Sequence, residues 1–169
     1  SNGELILAQK SLHDALNADP SFAPALKALS KLALHRGDLP GANQYSIQAV
    51  QADEDFREWS NKITKITERI QNGRRNIEQG LFEEAVDEYS AILNEHPYFP
   101  EAAFYIGLTR FRQKDIEGAA ANFKMAIDIY PNHKKARKGL DNVTKQLPAD
   151  ILICSFFNIS TFISFITII

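Results

Sequence analysis

Apolar residues in the middle of the chain recur at helical spacing. Phe56, Trp59, Ile63, Ile66 and Ile70 follow one another at steps of 3, 4, 3 and 4, which places them along one face of an α-helix. Neither Gly nor Pro interrupts residues 55–72. The stripe predicts one long helix over residues 54–79, about 39 Å at ~1.5 Å per residue. Two helices bent near Asn61 would show the same stripe. C-terminal to it, small and large residues alternate: Ala85, Tyr89 and Ile92 in one stretch, then Ala119, Phe123 and Ala126 at the same steps further on. Small residues let helices approach and large ones fill the space beside them, as ridges pack into grooves.

This spacing is a repeat. A motif written W-x2-L-G-x2-Y…A-x3-F…P, with a period of about 34 residues, describes a helix-turn-helix unit. With the final proline set at Pro131, Ile106-Gly107 fall on the Leu-Gly pair, Ala119 on the small slot and Phe123 on the aromatic one. The frame one period earlier closes on Pro97 and reads Gly73, Ala85, Tyr89 and Ile92. On these residues the chain resembles the tetratricopeptide-repeat family, strongly from Ile66 onward and more loosely before it.

The resemblance implies an all-α fold, a right-handed superhelical solenoid of helix-turn-helix repeats. Within residues 1–147 it divides into a half repeat at 4–20, a repeat at 23–54, a long linking helix at 54–79, repeats at 66–99 and 100–133, and a capping helix at 134–147. The half repeat carries Ala8, Leu12 and Ala15 before Pro20, and its missing first helix would cover its apolar face. The next unit carries Leu26, Leu29, a turn at 36–38, then Ala42, Tyr45 and Ala49. Its closing slot holds Glu54 instead of proline. The closing positions are thus Pro20, Glu54, Pro97 and Pro131. The first and last intervals are one period each; the middle one is longer, and its surplus lengthens the central helix. In the cap, Ala136, Leu140, Val143 and Leu147 share one side, and Pro148 stops the helix.

Composition narrows the function classes. At 44% apolar and 24% charged residues the chain is of ordinary globular make-up, and 169 residues suffice for one continuous core. A net charge of −2 argues against coating nucleic acid by bulk electrostatics. The single cysteine, Cys154, excludes an intrachain disulfide and fits a reducing compartment. His13, His35, His96 and His133 show no metal-ligand spacing. The chain opens on Ser1-Asn2-Gly3 inside an apolar periodic run, which reads as a processed or excised fragment. Residues 151–169 carry no charge and would measure roughly 28 Å as a helix, just enough to span a hydrocarbon core. This tail reads either as a C-terminal membrane anchor or as an aberrant carboxyl end, and exposed it would be prone to β-aggregation. The expected location is cytoplasmic, facing the cytosol from an organelle membrane if the tail inserts.

Catalytic chemistry finds little support. No Ser/His/Asp or Cys/His arrangement has a recognisable context, and no Gly-rich phosphate loop is present. Acidic runs at 53–55 and 83–84 lie where helices begin and suit the helix dipole. No cofactor is expected. What remains is a binding surface, for in tetratricopeptide proteins the first helices of successive repeats line a concave groove for an extended peptide or partner helix. Carried over by register, the groove-facing residues are Lys27, Lys31 and His35, then Ile70, Arg74 and Ile77, then Phe104, Tyr105, Leu108 and Arg112, and Lys135, Lys138 and Asn142 on the cap. Such a groove is basic at both ends and aromatic in its middle. It fits an acidic peptide with an apolar anchor over Phe104 and Tyr105, although both rings could instead touch the neighbouring repeat and the lysines could be a solvated helix face.

The carboxylate clamp by which related chaperone cofactors hold heat-shock tails is missing, because its Lys and Asn slots fall on Ile70, Arg74 and Tyr105. The sequence-level conclusion is a non-catalytic adaptor or assembly scaffold. Two further readings are a tail-anchored receptor or targeting factor, and a regulatory or substrate-binding module of an enzyme whose catalytic part lies outside this sequence.

Overall fold

The computed structural model describes residues 2–146. Among them, eight α-helices follow one another: α1 (Asn2–Ala18), α2 (Ala23–His35), α3 (Leu39–Ala52), α4 (Arg57–Gln79), α5 (Phe82–Glu95), α6 (Pro100–Arg112), α7 (Ile116–Ile129) and α8 (Lys134–Thr144). A single 3₁₀ turn, Glu54–Phe56, precedes α4. Substantial contacts join neighbours in sequence, with α6–α8 the one pairing that skips a helix. That is the contact pattern of a solenoid, in which a hairpin buries its faces against adjacent hairpins. None of the described helices is long and apolar enough to cross a membrane, and residues 147–169, including Leu147, Pro148 and the apolar tail, lie outside the described residues.

The helix ends follow from local chemistry. Asp38 and Asp115 each accept a hydrogen bond from the backbone N–H three residues on, at Gly41 (3.0 Å) and Gly118 (2.8 Å), and so satisfy donors that have no partner within the helix. Pro24, Pro40 and Pro100 occupy first-turn positions of α2, α3 and α6, where a missing N–H costs nothing. The three intrarepeat turns use one left-handed residue each: Gly37 (φ 76°), Gly80 (φ 77°) and Lys114 (φ 65°). The first two are free of the Cβ penalty of that region and Lys114 is not.

The long helix differs from its sequence expectation at one end. Its regular α-helix starts at Arg57, and the acidic stretch before it is 3₁₀, with Asp53 accepting from the Asp55 N–H at 3.0 Å. From Arg57 to Gln79 the helix is continuous through Asn61, about 34 Å at ~1.5 Å per residue. Ile63, Ile66, Ile70 and Gly73 form its buried seam. The three isoleucines belong to one cluster that includes Ala33, Leu34 and Ala42 of the front half and Ala85, Tyr89, Phe99, Ala102, Tyr105 and Ile106 of the back half. The two halves therefore share a core.

A polar relay reinforces the joint. Trp59 donates from Nε1 to Ser30 Oγ (2.9 Å), and the Ser30 hydroxyl donates to the Ala42 carbonyl (2.6 Å). Ser30 is fully buried, so losing a partner there strands a desolvated group. Trp59 also meets His96 edge-on at 6.4 Å, and His35 meets Tyr98 likewise, with its Nδ1 3.3 Å from the Tyr98 carbonyl. The loop between α5 and α6 is thus held to the front half.

Two measurements of denaturant midpoints check this account. Ser30→Ala and Trp59→Phe each lower stability by about 1–3 kcal/mol, and the double variant costs clearly less than the sum, because the two share one hydrogen bond. Lys114→Gly raises stability by up to about 1 kcal/mol through relief of the left-handed backbone.

Candidate functional site

A recess of about 340 Å³ opens where the first helices of the back repeats meet the front half. α4 contributes Thr67, Ile70, Gln71 and Arg74, spaced so that all four lie on one face. α6 contributes Glu101 and Tyr105 one turn apart, preceded by Phe99, and α8 contributes Lys135. The front half closes the recess with Gly37, Leu39, Pro40 and Asn43 at the α2–α3 turn. Leu39, Pro40, Ile70 and Phe99 make an apolar wall beside the amides of Asn43 and Gln71.

Arg74 and Lys135 are the two cations of this lining, and Arg74 is held against Tyr105. Its guanidinium donates to Tyr105 Oη and lies 5.0 Å from the centroid of the Tyr105 ring, a cation over a π face. The hydrogen bond to Tyr105 is the main reason that its pKa is raised further. Tyr105 in turn stacks on Tyr89, with centroids 5.1 Å apart and planes 18° apart. Gly73 makes room for this stack: a Cβ there would lie 2.5 Å from Tyr89 Cζ. The Tyr89 hydroxyl is buried with no hydrogen-bond partner among the described residues, and burial, followed by the neighbouring Tyr105, pushes its phenol well up.

The far wall is a three-residue latch between α6 and α8. His133 Nδ1 accepts from the Ala136 N–H (3.0 Å) at the start of α8, so the ring proton resides on Nε2. Nε2 donates to Glu101 Oε2 at 2.6 Å, and Lys135 donates to Oε1 at 3.1 Å. Burial alone would raise the Glu101 carboxyl; the hydrogen bond from His133, joined by the hydrogen bond and positive charge of Lys135, outweighs it and holds the group below the ordinary glutamate value. Gly37 abuts the same carboxylate, since a Cβ there would stand 2.9 Å from Oε2.

The residues singled out by register do not all gather here. Ile70 and Tyr105 form the floor, only 4% and 7% exposed, and Arg74 and Lys135 stand at the rim. Lys135 is paired to Glu101, so the cap end of the recess is less basic than a count of lysines suggests. Phe104 packs against Tyr105 (5.4 Å), Phe123 (5.8 Å) and His133 (5.4 Å). Of the two contacts open to it in sequence, this ring makes the one with the neighbouring repeat; it is half-buried and does not line the recess. Leu108 and Ile77 are half-buried against the shared core, while Arg112, Lys138 and Asn142 are exposed and do not line the recess.

Lys27, Lys31 and His35 are elsewhere, on α2. Lys27 lies 5.1 Å over the Phe56 ring and Lys31 5.5 Å over Trp59. Lys31 and His35 border a second, apolar recess of about 580 Å³ with Ala8, Leu12, Ala28, Leu32 and Tyr98. Glu101 and Gln71 were not among the expected residues. For Glu101 the signal was present in the frame: it lies one repeat period before Lys135, so the acid and base occupy the same slot of successive first helices.

Stacked helical hairpins whose first helices line a recess define a helical-repeat protein. The family described as tetratricopeptide repeat matches residues 70–134, and over that stretch the chain is similar to it. Among solved structures, MamA is similar at 18% identity and a TM-score of 0.46, over 86% of this chain and 80% of that one. YrrB, described as a TPR protein with an unusual peptide-binding site, is similar at 20% identity and a TM-score of 0.43, over 87% and 86% of the two chains. A tetratricopeptide repeat protein from Parabacteroides merdae ATCC 43184 is similar at 23% identity and a TM-score of 0.43, over 86% of this chain and 56% of that one. No curated protein matches the sequence.

The latch gives a pH-dependent expectation. Because the folded Glu101 pKa is depressed, its contribution to stability is fully present above the ordinary glutamate pKa and is lost as pH falls through the lower folded value. Glu101→Gln is expected to cost about 1–3 kcal/mol at neutral pH. In paired urea titrations, the gap between the natural chain and the variant should close as the pH is taken below the glutamate range.

Proposed function

We propose that this chain is a non-catalytic protein-interaction module, an adaptor or assembly scaffold, and that the Arg74 recess receives an extended peptide. The observation that carries the reading is the position of the Arg74 cation. It is fixed over Tyr105 above an apolar floor, beside a Glu101 carboxylate already held by His133 and Lys135. A carboxylate entering the recess meets Arg74 through a charge-assisted hydrogen bond. The amides of Gln71 and Asn43 suit peptide backbone, and Leu39, Pro40 and Phe99 offer contact for one apolar side chain. The His133 ring uses both nitrogens in structural hydrogen bonds.

This reading replaces the anchor over Phe104 with one against Leu39 and Phe99. It assigns the preference for acidic ligands to Arg74 and gives no part to the lysines of α2.

Calorimetric titration with short acidic peptides ending in a free carboxylate tests it. Arg74→Ala should weaken binding about 10- to 100-fold, as loss of a hydrogen bond to a charged group does, with Arg74→Lys intermediate because it keeps charge and loses the fork. Binding that is the same with and without Arg74 would refute the assignment.

A further inference from the structure

Tyr105 has more hydrogen-bonding capacity than its contact with Arg74 uses. A guanidinium carries donors only, whereas a phenol is both donor and acceptor. The bond between them therefore runs from Arg74 Nη2 to Tyr105 Oη, and the phenolic proton is left to point elsewhere. Among the described residues no acceptor takes it. The one carboxylate of the recess lining, Glu101, already accepts from His133 and Lys135.

The ring itself is not free to seek another partner. It is stacked on Tyr89 at 5.1 Å and met by the Phe104 ring at 5.4 Å. Although only 7% exposed, Tyr105 lines the recess beside Arg74. A fixed cation and an uncommitted O–H donor thus share one oxygen at the floor of the recess. A donor held so deeply gains from any acceptor that reaches it, because leaving it unpaired forfeits the hydrogen bond that water would supply.

We infer that a ligand carboxylate is held there at two points, one oxygen by the Arg74 guanidinium and the other by the Tyr105 hydroxyl. The inference rests on the reading that the recess takes an acidic peptide, and it makes Tyr105 a residue that touches the ligand as well as supporting Arg74. A carboxylate is acceptor-only on both oxygens and suits two donors. A carboxamide in its place turns an N–H toward one of them and is rejected. A peptide's C-terminal carboxylate and an Asp or Glu side chain share this chemistry.

Calorimetric titration of the full chain tests it with two peptides, one with a free carboxyl end and neutral side chains, the other amidated with one internal Glu. The tighter of the two identifies the source of the carboxylate. Tyr105→Phe keeps the ring, its stack and the face under Arg74, and should weaken that peptide about tenfold. Tyr89→Phe removes the neighbouring buried hydroxyl, and should leave binding unchanged. In an Arg74→Ala background Tyr105→Phe should still cost several-fold, since its bond to the ligand does not pass through Arg74. A cost seen only when Arg74 is present would show that the phenol merely positions the guanidinium, and would overturn the inference. Weakening by Arg74→Ala with none by Tyr105→Phe would overturn it too while leaving the Arg74 reading intact. Binding indifferent to both substitutions would remove both.

Discussion

The buried seam of α4 is the constraint on which the rest of the molecule depends. A helical-repeat hairpin cannot bury its own apolar face, and here the first helix of a repeat is extended backward so that Ile63, Ile66 and Ile70 serve two neighbourhoods at once. Each isoleucine removed from water contributes about 2–3 kcal/mol, and the seam is continuous with Leu34 on one side and Tyr89 and Ile106 on the other. The Ser30–Trp59 bond adds direction to what would otherwise be a greasy contact. It fixes how α2 and α3 sit against the helix that carries Arg74.

The recess is a consequence of that arrangement. Arg74 belongs to the seam helix, Tyr105 to the next first helix, Glu101 and Lys135 to a latch between α6 and α8, and Gly37 to the turn of the front repeat. Charges within the recess are partly cancelled where they meet: Lys135 by Glu101, with His133 completing the carboxylate's hydrogen bonds. Arg74 contacts a neutral phenol and an aromatic face, which orient it while leaving its charge uncompensated by them. Specificity in a solenoid lives in such few residues, since the scaffold itself is shared by many ligands.

Much of the fold was legible because its signals are local. The stripe from Phe56 to Ile70, the small and large slots at Ala85, Tyr89, Ala119 and Phe123, and the turn at Gly37 each act within a few residues. The left-handed turn at Lys114 had no compositional cue and shows only by alignment with Gly80, its equivalent one repeat earlier. The site was harder to read. Register put Ile70, Arg74, Tyr105 and Lys135 on facing helices, and all four border the recess. But α6 is packed by α5, α7 and α8, so a side chain one step round from Tyr105 is taken up by the core, as Phe104 is. The lysines of α2 meet Phe56 and Trp59 from a segment distant in sequence, a pairing that neither periodicity nor composition reports.

If the seam of α4 makes one cooperative body of the two halves, native-state hydrogen exchange is the measurement that shows it most directly. Amides of Leu29 and Ala33 on α2, Ile66 and Ile70 on α4, and Tyr105 and Ile106 on α6 should then exchange only through a common opening, with one free energy and one denaturant slope. A front half whose α2 amides open several kcal/mol more readily than those of α6 would contradict the account, because the recess would then have a wall that comes and goes independently of its floor.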